Sequence, residues 1–254
     1  MQDISKICET GGRDYNQDYT GFLEKDGKFC LVVADGLGSY HGSDIASKTA
    51  VEYILKWFEE NHNDKNILSK SMLNDVIFKA HNQIIKEKEN DVALSYCCTT
   101  IAVVISNNET SIMGHIGDTR IYEVKGGKIE FVTKDHSLAQ IAVERGEITH
   151  DEIPTHKDQN KLLRVLGSEY YTGPDVKIDF FSLSEGDGFF VCTDGMWEYV
   201  TEDEIEAVFT SDASSEDKLT ALKNLHDMRA DEGCDNFSAV LAVKKGETNE
   251  NQES

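Results

Sequence analysis

Two hydrophobic rhythms alternate along the chain. Short runs rich in Val, Ile, Phe and Tyr, bounded by Gly, Asn, Asp or Ser, predict strands over 27–34, 98–106, 111–117, 120–124, 129–132, 176–183, 188–192 and 237–243. Helical spacing interrupts them. Val51, Ile54, Leu55 and Phe58 share one face of a first helix; Leu73, Val76, Ile77, Ala80 and Ile84 share one face of a second. A shorter helix is predicted over 138–145, and Thr201-x-x-Glu204 reads as a capping box opening another. A last helix is predicted over 215–231, with Leu219, Leu222, Leu225 and Met228 as its face. Strands in runs, with helices in blocks between them, predict an α+β layered fold with antiparallel sheets. Regular βαβ alternation and a G-x-G-x-x-G after a strand are both missing, which excludes a dinucleotide-binding fold. There is no G-x-x-x-x-G-K-[ST] and no kinase signature set.

The ends of the predicted strands carry the chemistry. Asp35 closes FCLVVADG, Asp194 follows GFFVCT, and Asp235 precedes NFSAVLAV. Asp18, in GGRDYNQD, is a fourth acid, and Asp118 follows the apolar run SIMGHIG. Carboxylates held at the mouths of buried strands make a hard, oxygen-only site, suited to Mg²⁺ or Mn²⁺ rather than Zn²⁺. Two such ions can clamp a phosphate and activate water between them. Asp-Gly and Asp-Asn also serve tight hairpin turns. Against that reading, Asp35-Gly36 and Asp194-Gly195 each run into helical spacing, so neither lies between two paired strands. For Asp118 the turn reading stays open, because RIYEV follows it at once.

Composition narrows the classes. The chain has 254 residues, 39% of them apolar, and a formal charge of −22. That suits one globular domain with a sizeable core. The acidity argues against nucleic acid and against anionic membranes as partners. No apolar run approaches the length of a membrane span, and MQDISKICETGG lacks the basic-then-apolar pattern of a signal peptide. None of the six cysteines forms a C-x-x-C pair, so zinc is not expected, and a reducing cytoplasm is the expected compartment. With only two prolines and no low-complexity linker, the chain reads as one domain over 1–245, followed by a disordered acidic tail over 246–254.

These motifs, in this order, resemble those of the metal-dependent protein serine/threonine phosphatases, the PPM or protein phosphatase 2C family, in their bacterial form. GGRDYNQD resembles the family's R-x-x-N-[EQ]-D opening, VVADGLGS its D-G-x-G segment, and CTTIAVVI its T-T strand, with Cys98 where many members carry Gly. GHIGDTRIYEV resembles G-D-[ST]-R, and TKDHSLAQIAVERGEIT the D-H-S-L helix; LLRVLGS, VCTDGMWEYV and CDNFSAVLAV complete the series.

The resemblance implies a four-layer α-β-β-α sandwich, with two central antiparallel sheets and a metal cleft at one end. It implies two tightly bound Mn²⁺ or Mg²⁺ ions. Asp35 would bridge them, Asp194 and Asp235 would complete one, and the Gly36 carbonyl and waters the other, with Asp18 holding those waters. Arg13 would grip the substrate phosphate. Asp118 would join Asp194 around a third, weaker ion. Segment 140–171 would be a mobile flap over the cleft. The activity implied is hydrolysis of phosphoserine and phosphothreonine on proteins by a metal-activated water, opposing a bacterial Ser/Thr kinase. Alternatives are a phosphatase of one dedicated regulator, as in sigma-factor control, or a catalytically inactive phosphoprotein-binding module. Three departures stand out. Gln17 replaces an acid found in many relatives. Leu37 stands where some eukaryotic members carry a histidine proposed as general acid, which leaves that role unassigned. Ser39-Tyr40-His41 replaces a Gly-rich stretch.

Overall fold

In the computed structural model, residues 2–37, 42–180 and 182–246 are described. Ten strands form two antiparallel five-stranded sheets. The first sheet has the order β1 (Gln2–Glu9), β10 (Phe237–Lys244), β9 (Gly188–Cys192), β6 (Arg120–Lys125), β7 (Lys128–Val132). The second has the order β2 (Asp18–Lys25), β3 (Lys28–Asp35), β4 (Ile101–Ser106), β5 (Ser111–Ile116), β8 (Asp175–Asp179).

Three apolar layers hold the sandwich together. Alternate residues of the central strands face the other sheet: Phe29, Leu31 and Val33 meet Phe189, Val191, Val240 and Ala242 between the sheets. The opposite faces of the strands bury against helices. Cys30, Val32, Val103 and Ile105 pack under α1 (Ser43–Asn61) and α2 (Lys70–Asn90). Phe190, Cys192, Ala239 and Leu241 pack under α5 (Glu202–Phe209) and α6 (Ser215–Arg229). Strands covered on both faces read as continuous apolar runs, which is the pattern of β3, β4 and β9.

The expected α+β sandwich is therefore the observed one, with corrections to individual elements. Strands β1 and β2 were not among the predicted strands. Both are edge strands, QDISKICE and DYTGFLEK, in which most positions are polar or only partly buried, so their hydrophobic signal is thin. The strand expected over 176–183 stops at Asp179, and Phe181 lies outside the described residues. In α6 the expected face fails at its end: Met228 is 82% exposed, while His226 is buried. Four residues at strict i+3 spacing drift by 60° per step, so the last points away from the first, and Leu222 plus four is His226. Of the tail expected over 246–254, residues 247–254 lie outside the described residues. No helix among the described residues is long and apolar enough to cross a membrane. All six cysteines are free.

Candidate metal centre

One end of the sandwich gathers the acids that the sequence points to. Asp35 is the last residue of β3, and Asp18 the first of β2; the antiparallel register sets them opposite each other. Asp118 follows β5, Asp194 opens the short helix α4 (Asp194–Trp197) directly after β9, and Asp235 stands just before β10. Asp18 and Asp118 are buried, whereas Asp35, Asp194 and Asp235 are half-buried at the mouth.

Backbone clamps fix each strand end. The Asp35 N–H donates to Thr100 Oγ1 at 2.9 Å, and its carbonyl accepts from Thr99 Oγ1 at 2.7 Å and from the Thr100 N–H at 2.8 Å. Thr100 Oγ1 in turn meets Thr119 Oγ1 at 2.5 Å. Thr193 Oγ1 donates to Asp18 Oδ2 at 2.9 Å while accepting the Ser238 N–H at 2.9 Å, which ties β2 to both β9 and β10. Buried Asn236 staples the loop before β2: its Nδ2 donates to the Thr10 and Tyr15 carbonyls, and its Oδ1 accepts the Gln17 N–H at 2.8 Å. Gly36 needs to be glycine, because a Cβ there would collide with the Ser43 and Gln17 carbonyls. So does Gly117, with φ of +100° and Thr100 Cγ2 2.6 Å from where a Cβ would stand.

The electrostatics are those of crowded like charges. Asp35 is pushed well above the usual carboxylate range, first by burial and then by Asp194, Asp18, Asp118 and Asp235. Burial and then Asp194 raise Asp18 to about 7; burial and then Asp235 raise Asp194 to about 6. Asp118 rises well above its ordinary value through burial and then Asp194. Five carboxylates thus feel one another in one cleft.

Whether this set fits divalent ions is answered by its unpaired oxygens. Asp18 Oδ1 and Asp118 Oδ1 are both buried without a hydrogen-bond partner. A buried, unpaired carboxylate oxygen is costly unless a cation or donor meets it, and an all-oxygen donor set matches Mg²⁺ or Mn²⁺. The residues therefore fit. They are nonetheless spread out: among the described residues no three His, Cys, Asp or Glu side chains draw together as a closed metal cage.

Arg13 is not free in the cleft. Its Nη2 donates to Asp235 Oδ2 at 2.7 Å, and both side chains stay substantially exposed. Glu198, unmarked by any motif reading, belongs to the site as well. Burial and then Asp194 and Asp235 raise it to about 8, and its Oε1 accepts from Gln159 Nε2 at 2.9 Å. Gln159 lies in segment 140–171, expected as a flap. That segment is anchored at further points: Leu166 bridges to Thr99, and Arg164 Nη1 donates to Asp175 Oδ1 at 2.8 Å. Burial opposes ionisation of Asp175, but the Arg164 and His136 hydrogen bonds prevail and lower it to about 2. His136 accepts the Gly117 N–H on Nδ1 at 3.0 Å; burial and then His115 lower it to about 4. His41 lies outside the described residues.

Comparison with known proteins gives the family and the fold. The family model for protein phosphatase 2C matches residues 11–228. The serine/threonine phosphatase stp of Listeria welshimeri is 29% identical over 211 residues, spanning 81% of this chain and 82% of the relative. The crystal structure of the serine/threonine phosphatase Stp1 from Staphylococcus aureus superposes with a TM-score of 0.86 at 24% identity, over 97% of this chain and 96% of that one. The catalytic domain of the serine/threonine protein phosphatase PstP, in complex with 2 manganese ions, superposes with a TM-score of 0.81 at 21% identity, over 96% and 99% of the two chains.

Proposed function

Because the chain belongs to the protein phosphatase 2C family of serine/threonine protein phosphatases, we propose that it hydrolyses phosphoserine and phosphothreonine on proteins with Mn²⁺ or Mg²⁺ and opposes a bacterial Ser/Thr kinase. One observation carries the reading. Asp18, Asp35, Asp118, Asp194 and Asp235 converge at one end of the sandwich, where burial and the neighbouring carboxylates raise the proton affinity of the first four. A site with that much negative charge cannot receive a phosphate dianion unless cations offset it.

Asp35, the Gly36 carbonyl, Asp194 and Asp235 would hold two ions, with Asp18 acting through waters and Asp118 joining Asp194 around a third, weaker one. Such ions supply positive charge for the phosphate and a lowered pKa for the attacking water. The chain's own groups do the rest. Asp18 is kept in place by Thr193, with one oxygen still unpaired, so it can accept from a water in the cleft. The Arg13 guanidinium exchanges Asp235 for the phosphate, which it can grip through two N–H groups. The Thr99 and Thr100 clamp keeps Asp35 from swinging as charge moves, so little reorganisation is left for the reacting state. Glu198 borders the same acids, and in the metal-free cleft burial and then Asp194 and Asp235 raise its proton affinity.

A phosphothreonine peptide from a kinase-treated protein, assayed with and without Mn²⁺, tests the reading. Metal-dependent release of inorganic phosphate supports it. Binding of the phosphopeptide without release would favour the inactive binding module instead.

A further inference from the structure

The Asp118–Asp194 pair presents a mechanical problem. Two carboxylates that repel each other stand just past the paired ends of β6 and β9, and one of them, Asp118, keeps a buried oxygen without a partner. The β6–β9 ladder brings their chain segments together but ends two residues short of each acid, so the final spacing is set by what holds those ends.

The bridge is Trp197. It is the last residue of α4, the four-residue helix that Asp194 opens. Its indole Nε1–H donates to the Asp118 backbone carbonyl at 3.0 Å. The peptide carrying Asp118 is therefore hung from the same turn of helix that carries Asp194. The indole ring cannot tilt freely, because the Arg120 guanidinium lies over it with Cζ 3.6 Å from the ring centroid. Nor can Arg120 turn, since Asp135 holds it through two bonds, Nε to Oδ1 at 2.9 Å and Nη2 to Oδ2 at 2.7 Å. Both Arg120 and Asp135 are buried. On the other flank of Asp118, His136 and Gly117 exchange two hydrogen bonds, at 2.9 and 3.0 Å. Residues 135 and 136 thus fix Asp118 from both sides, through Arg120 and Trp197 on one side and directly through Gly117 on the other.

We infer that Trp197 is a positioning residue: braced by Arg120 and Asp135, it sets the spacing of Asp118 and Asp194 that a third, weakly held divalent ion requires. This rests on the proposed metal-dependent reading of the same cleft. Trp197 touches neither the phosphate nor the ions; it acts through a backbone carbonyl and a helix turn. A weakly held ion depends most on such spacing, because it has few protein ligands and cannot pull a misplaced one into line.

The test is a Mn²⁺ titration of the full chain, read by the EPR signal of free Mn²⁺, for wild type and Trp197→Phe. Phenylalanine keeps a ring for Arg120 to cover and removes the N–H donor, along with part of the indole's volume. Wild type is expected to hold two ions tightly and one weakly. In Trp197→Phe the two tight sites should keep their affinities, and the weak site should loosen roughly fivefold, the scale of one neutral hydrogen bond. Should Trp197→Phe not fold, benzothienylalanine at 197, which keeps the indole shape with sulfur in place of N–H, makes the same comparison. A lowered melting temperature with an unchanged weak site would overturn the inference and leave Trp197 as packing. A wild-type protein that holds only two ions at millimolar Mn²⁺ would overturn both the third-ion reading and this inference. Loss of all Mn²⁺ binding in wild type would instead reject the metal-dependent function itself.

Discussion

Asp18 and Asp35 stand directly opposite each other across the β2–β3 pair. Like charges at facing positions of an antiparallel pair destabilise it. Here they do so in company with Asp194, which raises both.

A pH prediction follows for the metal-free protein. Asp18 rises from 3.8 to about 7 and Asp194 from 3.8 to about 6. Between the unfolded and folded values the native state binds more protons than the unfolded one, so stability falls as pH rises. Without metal, the melting temperature should decline from about pH 4 to pH 7 through these groups. Saturating Mn²⁺ should raise it most at the upper end of that window. A melting temperature that climbs steadily from pH 5 to pH 7 in EDTA, with no added gain from Mn²⁺, would contradict this.

Asp194→Ala and Asp235→Ala should each abolish turnover in a protein that stays folded. Both carboxylates sit half-buried at the mouth, so neither truncation opens a core cavity. Circular dichroism checks the fold, and near-normal activity of either variant at saturating Mn²⁺ would remove that residue from the site.

Arg13→Ala should raise KM for a phosphopeptide by an order of magnitude or more. Arg13 pairs only with an exposed partner, Asp235, and lies outside every apolar cluster. Calorimetry is expected to show nearly unchanged Mn²⁺ affinity. A main defect in metal binding would make Arg13 a brace for Asp235 rather than a phosphate ligand.

Far from the cleft, Glu123 joins the two sheets. It is 1% exposed, on β6, and accepts from Lys125 at 3.0 Å and from Lys177 of β8 at 2.6 Å. Glu123→Ala should lower stability by about 2 kcal/mol, less than a fully buried pair because Lys177 reaches solvent. Urea denaturation reads this directly, and a loss below about 0.5 kcal/mol would show the link to be decorative.

The parts of this protein that were legible in its sequence share a physical reason. Central strands buried on both faces cannot hide their apolar runs, so β3, β4 and β9 are plain in VVAD, IAVVIS and GFFVC. Asp35, Asp118, Asp194 and Asp235 are legible because each closes or opens such a run, whereas Asp18 is marked only by its place in GGRDYNQD. Edge strands β1 and β2 are not legible, since most of their positions are polar or only partly buried. The clamps are invisible for another reason. Thr193, Ser238 and Asn236 act by hydrogen bonds between elements distant in sequence, and no local periodicity marks a threonine that holds an aspartate 175 residues away. Glu198 and Trp197 could have been suspected from one signal alone, a helix too short to fold by itself starting at a site aspartate.

Five aspartates that form a divalent-metal site hydrolysing phosphoprotein esters must leave the protein inert without its ions. Metal-stripped protein assayed on a phosphothreonine peptide across a Mn²⁺ titration tests this most directly. No turnover without metal, saturable recovery with Mn²⁺, and no recovery in Asp194→Ala are expected. Turnover that persists in EDTA and ignores added Mn²⁺ would contradict this.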